Sequence, residues 1–120
     1  GDYFRGGIVT YWTDLKIDSG VPANVSEEHG VISAETAMAM AEAVRERLGT
    51  EYGCGVTGVA GPDSQEGKPA GTVHVAVAGP DGQGGTISMS MNTGRAAVKR
   101  RAVTTAMLLL RRTLLGETRR

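Results

Sequence analysis

Apolar and polar positions repeat along this chain with two periods, and each change of period marks an element. Ile8-Val9-Thr10-Tyr11-Trp12, led in by Gly6-Gly7, reads as a strand. Ile8, Thr10 and Trp12 would share one face, Val9 and Tyr11 the other. Thr13 or Asp14 then caps a helical turn holding Leu15-Lys16-Ile17, ended by Gly20-Val21-Pro22. Residues 23–30 are polar and acidic, a loop with a short helix. From Ala34 to Leu48 the period becomes helical, with Ser33 as N-cap and Gly49 as stop. Ala34, Ala37, Ala41, Val44 and Leu48 form one face, widened by Met38. Its alanines predict close packing on a sheet.

Strands follow at 54–59 and 72–78, the second rich in β-branched residues. A third at 86–91 alternates, with Ile87, Met89 and Met91 inward and Thr86, Ser88 and Ser90 outward. Gly79-Pro80-Asp81-Gly82 predicts the turn between the last two, with proline at the second position and glycine closing it. Asn92 or Thr93 caps a final helix that runs to about Leu115. Its buried stripe is Val98, Ala102, Thr105 or Ala106, Leu109 and Thr113; Gly116 stops it, and the tail is expected to fray.

Strand 8–12, helix 34–48 and strand 54–59 make a βαβ unit, which implies parallel pairing and a right-handed crossover. The last three strands make an antiparallel meander. The expected fold is a single α/β (α+β mixed) domain over residues 1–120, a mixed parallel and antiparallel sheet with flanking helices. Few helices are available to cover both sheet faces, so either a partner copy or a preceding segment is expected to complete the cover.

Composition narrows the class. The chain has 120 residues, 13 Lys and Arg, 13 Asp and Glu, and no net charge. No apolar run approaches the ~18 residues of a membrane span, and the first residues do not read as a secretion signal. Cys54 is the only cysteine. A disulfide framework is excluded, a cytoplasmic protein is expected, and the thiol reads as a small core residue. Charge is unevenly placed. Arg95, Lys99, Arg100, Arg101, Arg111, Arg112, Arg119 and Arg120 follow Asn92, against Glu117 alone. The tail arginines suit a helix C-terminus, but Arg95, Lys99 and Arg100 lie at the end where the dipole disfavours cations.

Candidate chemistry gathers in two places. The glycine-bounded loop Gly61–Gly71 joins strands 54–59 and 72–78 and is long for a hairpin. It is a near miss to a P-loop: five residues separate Gly61 from Gly67-Lys68, one too many, and Pro69 replaces the magnesium-binding Ser or Thr. That reading is rejected. Asp63 and Glu66 lack accompanying His or Cys, so no metal is expected. The start of the last helix, with Arg95 and Lys99 one turn apart, is a candidate phosphate site. Tyr11 and Lys16 bracket a strand end, where α/β active sites lie. In the first turn of a helix the dipole would lower the Lys16 pKa, so it could act as a base with the tyrosine relaying protons. The bland alternative is a sheet tyrosine and a surface lysine.

Four segments decide between these. They are Phe4-Arg5-Gly6-Gly7-Ile8-Val9-Thr10-Tyr11 with Lys16, His29-Gly30-Val31-Ile32-Ser33 leading to Met40-Ala41, Val56-Thr57-Gly58-Val59-Ala60-Gly61-Pro62, and Lys68-Pro69-Ala70-Gly71-Thr72-Val73. Gly94-Arg95 with Val98-Lys99 is a weaker fifth. In this order they resemble the C-terminal domain of the competence/damage-inducible CinA family, which includes stand-alone nicotinamide-nucleotide amidases.

The resemblance implies a three-layer sandwich, here without its first strand and helix. It implies hydrolysis of the carboxamide of nicotinamide mononucleotide to nicotinate mononucleotide and ammonia, without a cofactor. Tyr11 and Lys16 match the family's catalytic tyrosine and lysine. Thr57, Gly58, Ala60 and Gly61 would lie along the substrate, and Arg95 would meet its phosphate. The family's nucleophile is a serine in a Glu-Ser-Cys-Thr-Gly-Gly motif upstream of the Gly-Gly strand. That motif does not occur in residues 1–120, and Ser19, Ser26, Ser33, Ser64, Ser88 and Ser90 stand in other contexts. Trp12-Thr13 also replaces the small polar residues usual after the tyrosine. The expectation is therefore either a truncated amidase or an inactive nucleotide-binding relative. A homo-oligomer is expected, with no membrane partner. Nucleic acid is disfavoured, since there are too few aromatics for base stacking.

Overall fold

The computed structural model describes all 120 residues. The elements are α1 (Thr13–Asp18), α2 (Ala23–His29), α3 (Ala34–Leu48), β1 (Gly53–Gly58), β2 (Thr72–Ala78), a 3-10 turn (Pro80–Gly82), β3 (Gly84–Ser90) and α4 (Arg95–Leu114). The strands form one sheet in the order β1-β2-β3, antiparallel throughout. Helix α3 covers one face and α4 the other, giving three layers.

Central β2 explains both packings. Its odd residues Val73, Val75 and Val77 meet Val98, Ala106 and Leu109 of α4. Its even residues Ala76 and Ala78 meet Ala37 and Ala41 of α3. The α3 face is built from the smallest residues available. A Cβ on Gly53 would stand 2.9 Å from Arg45 Cβ, and one on Gly55 2.8 Å from the Ala41 backbone nitrogen. Only glycine on β1 opposite alanine on α3 lets the two backbones come so close.

Helix α3 forms as its sequence predicts. Ser33 Oγ accepts from the Thr36 N–H at 3.1 Å, and Gly49 closes the helix in the left-handed region at φ 65°. The short helix within 23–30, the turn at 79–82 and the buried stripe of α4 also stand as expected.

Four expectations are corrected. Residues 8–12 form no strand, because no neighbouring strand supplies a ladder. The βαβ unit and its parallel pairing therefore fall, and β1 is an edge strand. The caps differ too: α1 begins after Trp12, and α4 begins after Gly94 with no side-chain cap. Lastly, the tail is docked. Thr118 accepts from the Gly84 N–H, and Arg119 Nη1 donates to the Asp81 carbonyl at 2.7 Å. Arg120 donates from its backbone to Gly82, from Nε to Gln83 and from Nη2 to Gly79, and it pairs with Glu42 of α3. Burial opposes ionisation of Glu42, but Arg120 and Arg45 outweigh it and hold the carboxyl below its ordinary 4.5.

Candidate functional site

A cleft of about 1270 Å³ runs along the open edge of β1. Residues 1–11 make its far wall. Val44 and Leu48 of α3 flank it on one side, Met107, Leu110 and Leu114 of α4 on the other. Helix α4 thus presents apolar residues to the cleft as well as to the core: Leu110 touches both, and Met107 and Leu114 are more than half exposed.

Asp2, Arg5 and Glu51 also line this cleft, but Lys16 is the charged residue buried in its wall. Helix α1 places it there through the sharp entry at Trp12, with the Asp14 carboxylate accepting from the Leu15 N–H at 3.0 Å. The residue is 5% exposed, and its Nζ donates to the Thr10 carbonyl. Burial pulls its pKa below the ordinary 10.5, and the negative charge of Glu66 works against that pull. The cause is therefore desolvation, where the sequence pointed to the helix dipole. Tyr11 lines the same cleft but is 81% exposed.

Of the other expected site residues, Thr57 and Gly58 line the cleft. The Thr57 hydroxyl donates to the Val31 carbonyl at 3.0 Å. Gly58 has a packing reason to be glycine: a Cβ there would stand 3.0 Å from Val73 Cα across the sheet. Ala60, Gly61 and Arg95 lie outside the cleft lining and form a second group beyond the end of β1. Arg95 Nη1 donates to the Gly61 carbonyl at 2.9 Å, and Gly61 has φ 99° and precedes a cis peptide to Pro62. The Ala60 and Gly61 N–H groups donate to no backbone carbonyl, so two consecutive donors stand free beside Arg95. Arg95, Lys99 and Arg100 are exposed together around an open depression at the start of α4.

Sequence reasoning undervalued Glu66. Its oxygens accept from the Val31 and Ile32 N–H groups at 3.1 and 2.9 Å, so this carboxylate is already spoken for and does not pair with Asp63. The signal available was local: glutamate beside glycine in Gln65-Glu66-Gly67-Lys68. His74 was also passed over. Its Nδ1 lies 2.8 Å from Ser88 Oγ on the neighbouring strand. Burial lowers its pKa, Glu35 opposing and Lys68 adding to the effect. No group of three or more His, Cys, Asp or Glu side chains is arranged to hold a metal ion.

Known proteins resemble this chain along nearly its whole length. It is 47% identical over 116 residues to a CinA-like protein of Frankia casuarinae, a match covering 94% of this chain and 26% of that protein. It is 43% identical over 118 residues to a putative competence-damage inducible protein of Streptococcus pneumoniae, covering 95% and 28%. The chain thus spans about a quarter of the curated relatives it matches. Among solved structures, a competence/damage-inducible protein from Agrobacterium tumefaciens superposes with TM-score 0.80 at 32% identity, covering 87% of this chain and 65% of that one. A CinA superfamily protein from Escherichia coli gives 0.77 at 30% identity, covering 84% and 59%. Since the family model of the CinA C-terminal domain matches residues 1–114, the chain belongs to that family.

Proposed function

We propose that the protein containing this domain is a nicotinamide-nucleotide amidohydrolase, releasing ammonia from the carboxamide of nicotinamide mononucleotide. The observation that carries this reading is Lys16, a buried lysine on a cleft wall whose pKa burial has lowered. An amine whose protonation burial disfavours is suited to take the proton from an attacking hydroxyl and return it to the departing ammonia. Tyr11 shares the cleft and serves as the relay between them. The free N–H pair at Ala60 and Gly61 lies outside the Lys16 cleft beside Arg95, and with that arginine suits the phosphate of the nucleotide. On this reading the nucleophile is a serine in the family's Glu-Ser-Cys-Thr-Gly-Gly motif, which residues 1–120 do not contain.

A second reading is a nucleotide-binding module without hydrolysis. One observation favours it for these 120 residues. Ser19 is the only serine lining the cleft, and the Lys16 amine is engaged by the Thr10 carbonyl instead. Ammonia release from nicotinamide mononucleotide by the protein expressed with its upstream coding sequence separates the two. Release that is lost in Lys16→Met supports the amidohydrolase. No release, together with a calorimetric signal for the same nucleotide on residues 1–120, leaves the binding module.

A further inference from the structure

Glu66 sits at the tip of the Gly61–Gly71 loop. Gln65 and Lys68 exchange backbone hydrogen bonds at 3.0 and 2.8 Å, and the two residues between them, Glu66 and Gly67, have φ of 52° and 72°. That is a tight turn with both central residues left-handed. Glycine takes the second place without strain. Glutamate at the first does not, and its local alternatives, Asn, Asp and Gly, are the residues such turns select. A strained residue persists where its surroundings hold it. Here the hold is the Val31 and Ile32 N–H pair, just ahead of the Ser33 cap, where the start of α3 also favours negative charge.

Both ends of this contact border the cleft. Gln65, next to Glu66, lines it, and so do Val31, Ile32, Thr57 and Lys16. Residues 30–32 are gripped from three sides. Glu66 accepts from two of their N–H groups, Thr57 donates to the Val31 carbonyl, and Thr36 donates to the Gly30 carbonyl at 2.6 Å. We propose that Glu66 is a positioning residue that latches the Gly61–Gly71 loop to the turn before α3 and so fixes the wall that Gln65, Val31 and Ile32 give the cleft. The negative charge of Glu66 also works to raise the Lys16 pKa against burial. Lys68 flanks the same carboxylate from the loop, its Nζ 3.6 Å from where a Gly30 Cβ would stand. His29, near Glu28 and Glu35, flanks the turn from the helices. What the latch does for catalysis rests on the amidohydrolase reading. The latch itself is measured without turnover, so the two fail separately.

The test uses the 120-residue chain and compares Glu66→Ala, the near-isosteric Glu66→Gln and the control Asp63→Asn. Amide exchange at Val31 and Ile32 is expected to rise about tenfold to a hundredfold in Glu66→Ala, the factor set by a hydrogen bond to a charged group. The NMR titration midpoint of Lys16 is expected to move down in both Glu66 variants and to stay in Asp63→Asn. A merely structural role would leave that midpoint in place in Glu66→Gln. Unchanged exchange at both amides, or a Lys16 midpoint that moves as far in Asp63→Asn, overturns the proposal. If Glu66→Ala does not fold, the Glu66→Gln titration decides alone.

Discussion

Gly55 is where helix and sheet come nearest, so one methyl group there tests how α3 is held. A Cβ would stand 2.8 Å from the Ala41 backbone nitrogen and 3.0 Å from Met40 Cβ, and would fall inside van der Waals contact with the Ala37 carbonyl oxygen. Two of these three neighbours are helix backbone, so no rotamer change relieves the clash. Helix α3 must retreat from β1 and loosen the cluster of Ala37, Ala41, Ala76 and Ala78. Overpacking costs about 1–3 kcal/mol where neighbours adjust, and rigid neighbours put Gly55→Ala at about 3 kcal/mol. Against a total stability of about 5–15 kcal/mol this is a large fraction. At about 4 °C per kcal/mol for this length, the thermal midpoint should fall by about 12 °C. Gly85 on β3 is the control, since a Cβ there meets nothing within 4 Å. Gly85→Ala should be neutral, or stabilise by up to about 1 kcal/mol by restricting the unfolded chain. Melting followed by circular dichroism checks both. A Gly55→Ala midpoint within about 2 °C of the parent, below the shift of 1 kcal/mol, would refute the close-contact account.

Three further outcomes are expected. Lys16→Met in the protein with its upstream sequence should lower kcat by about 10²–10⁴-fold, the range of general acid–base catalysis, with little change in KM. In the parent, the rate should rise as pH climbs through the lowered Lys16 pKa, and kcat against pH for both proteins checks this limb. Arg95→Ala should weaken nicotinamide mononucleotide roughly fivefold, a modest loss because Arg95 is exposed. The nucleoside lacking the phosphate should bind the variant and parent alike, as calorimetry would register. The Glu42 carboxyl sits below its unfolded 4.5, so its stabilising contribution is full above that pH and is lost as pH falls through the folded value. Glu42→Gln should therefore flatten the acid limb of stability against pH, measured by urea unfolding.

The sequence yielded the elements whose causes are local. Ser33 and Gly49 bound α3, and the alternation of Ile87, Met89 and Met91 marks β3, because caps and periods act within a few residues. Residues 8–12 show the limit. Their pattern suits a strand, but a strand exists only with a partner, and pairing is not written in the segment itself. Tyr11 and Lys16 entered as a weak pair from spacing, while the burial that gives Lys16 its chemistry depends on Thr10 and on a cleft wall built by distant elements. Glu66 was hidden for the same reason, since its two acceptors' partners lie 34 and 35 residues away. The docking of Arg119 and Arg120 likewise joins residues remote in the chain, and composition read them only as tail charge.

The contact of Gly53 and Gly55 with α3 also limits how this domain can move. Helices that pack through long, flexible side chains slide past one another, which is the basis of shear motion. Here backbone meets backbone, and a small slide would drive Ala37 and Ala41 into the strand. Helix α3 and the sheet therefore travel as one rigid body. The Gly61–Gly71 loop is tied to the same body through Glu66, so change of shape is left to residues 1–12, the segment that carries Tyr11.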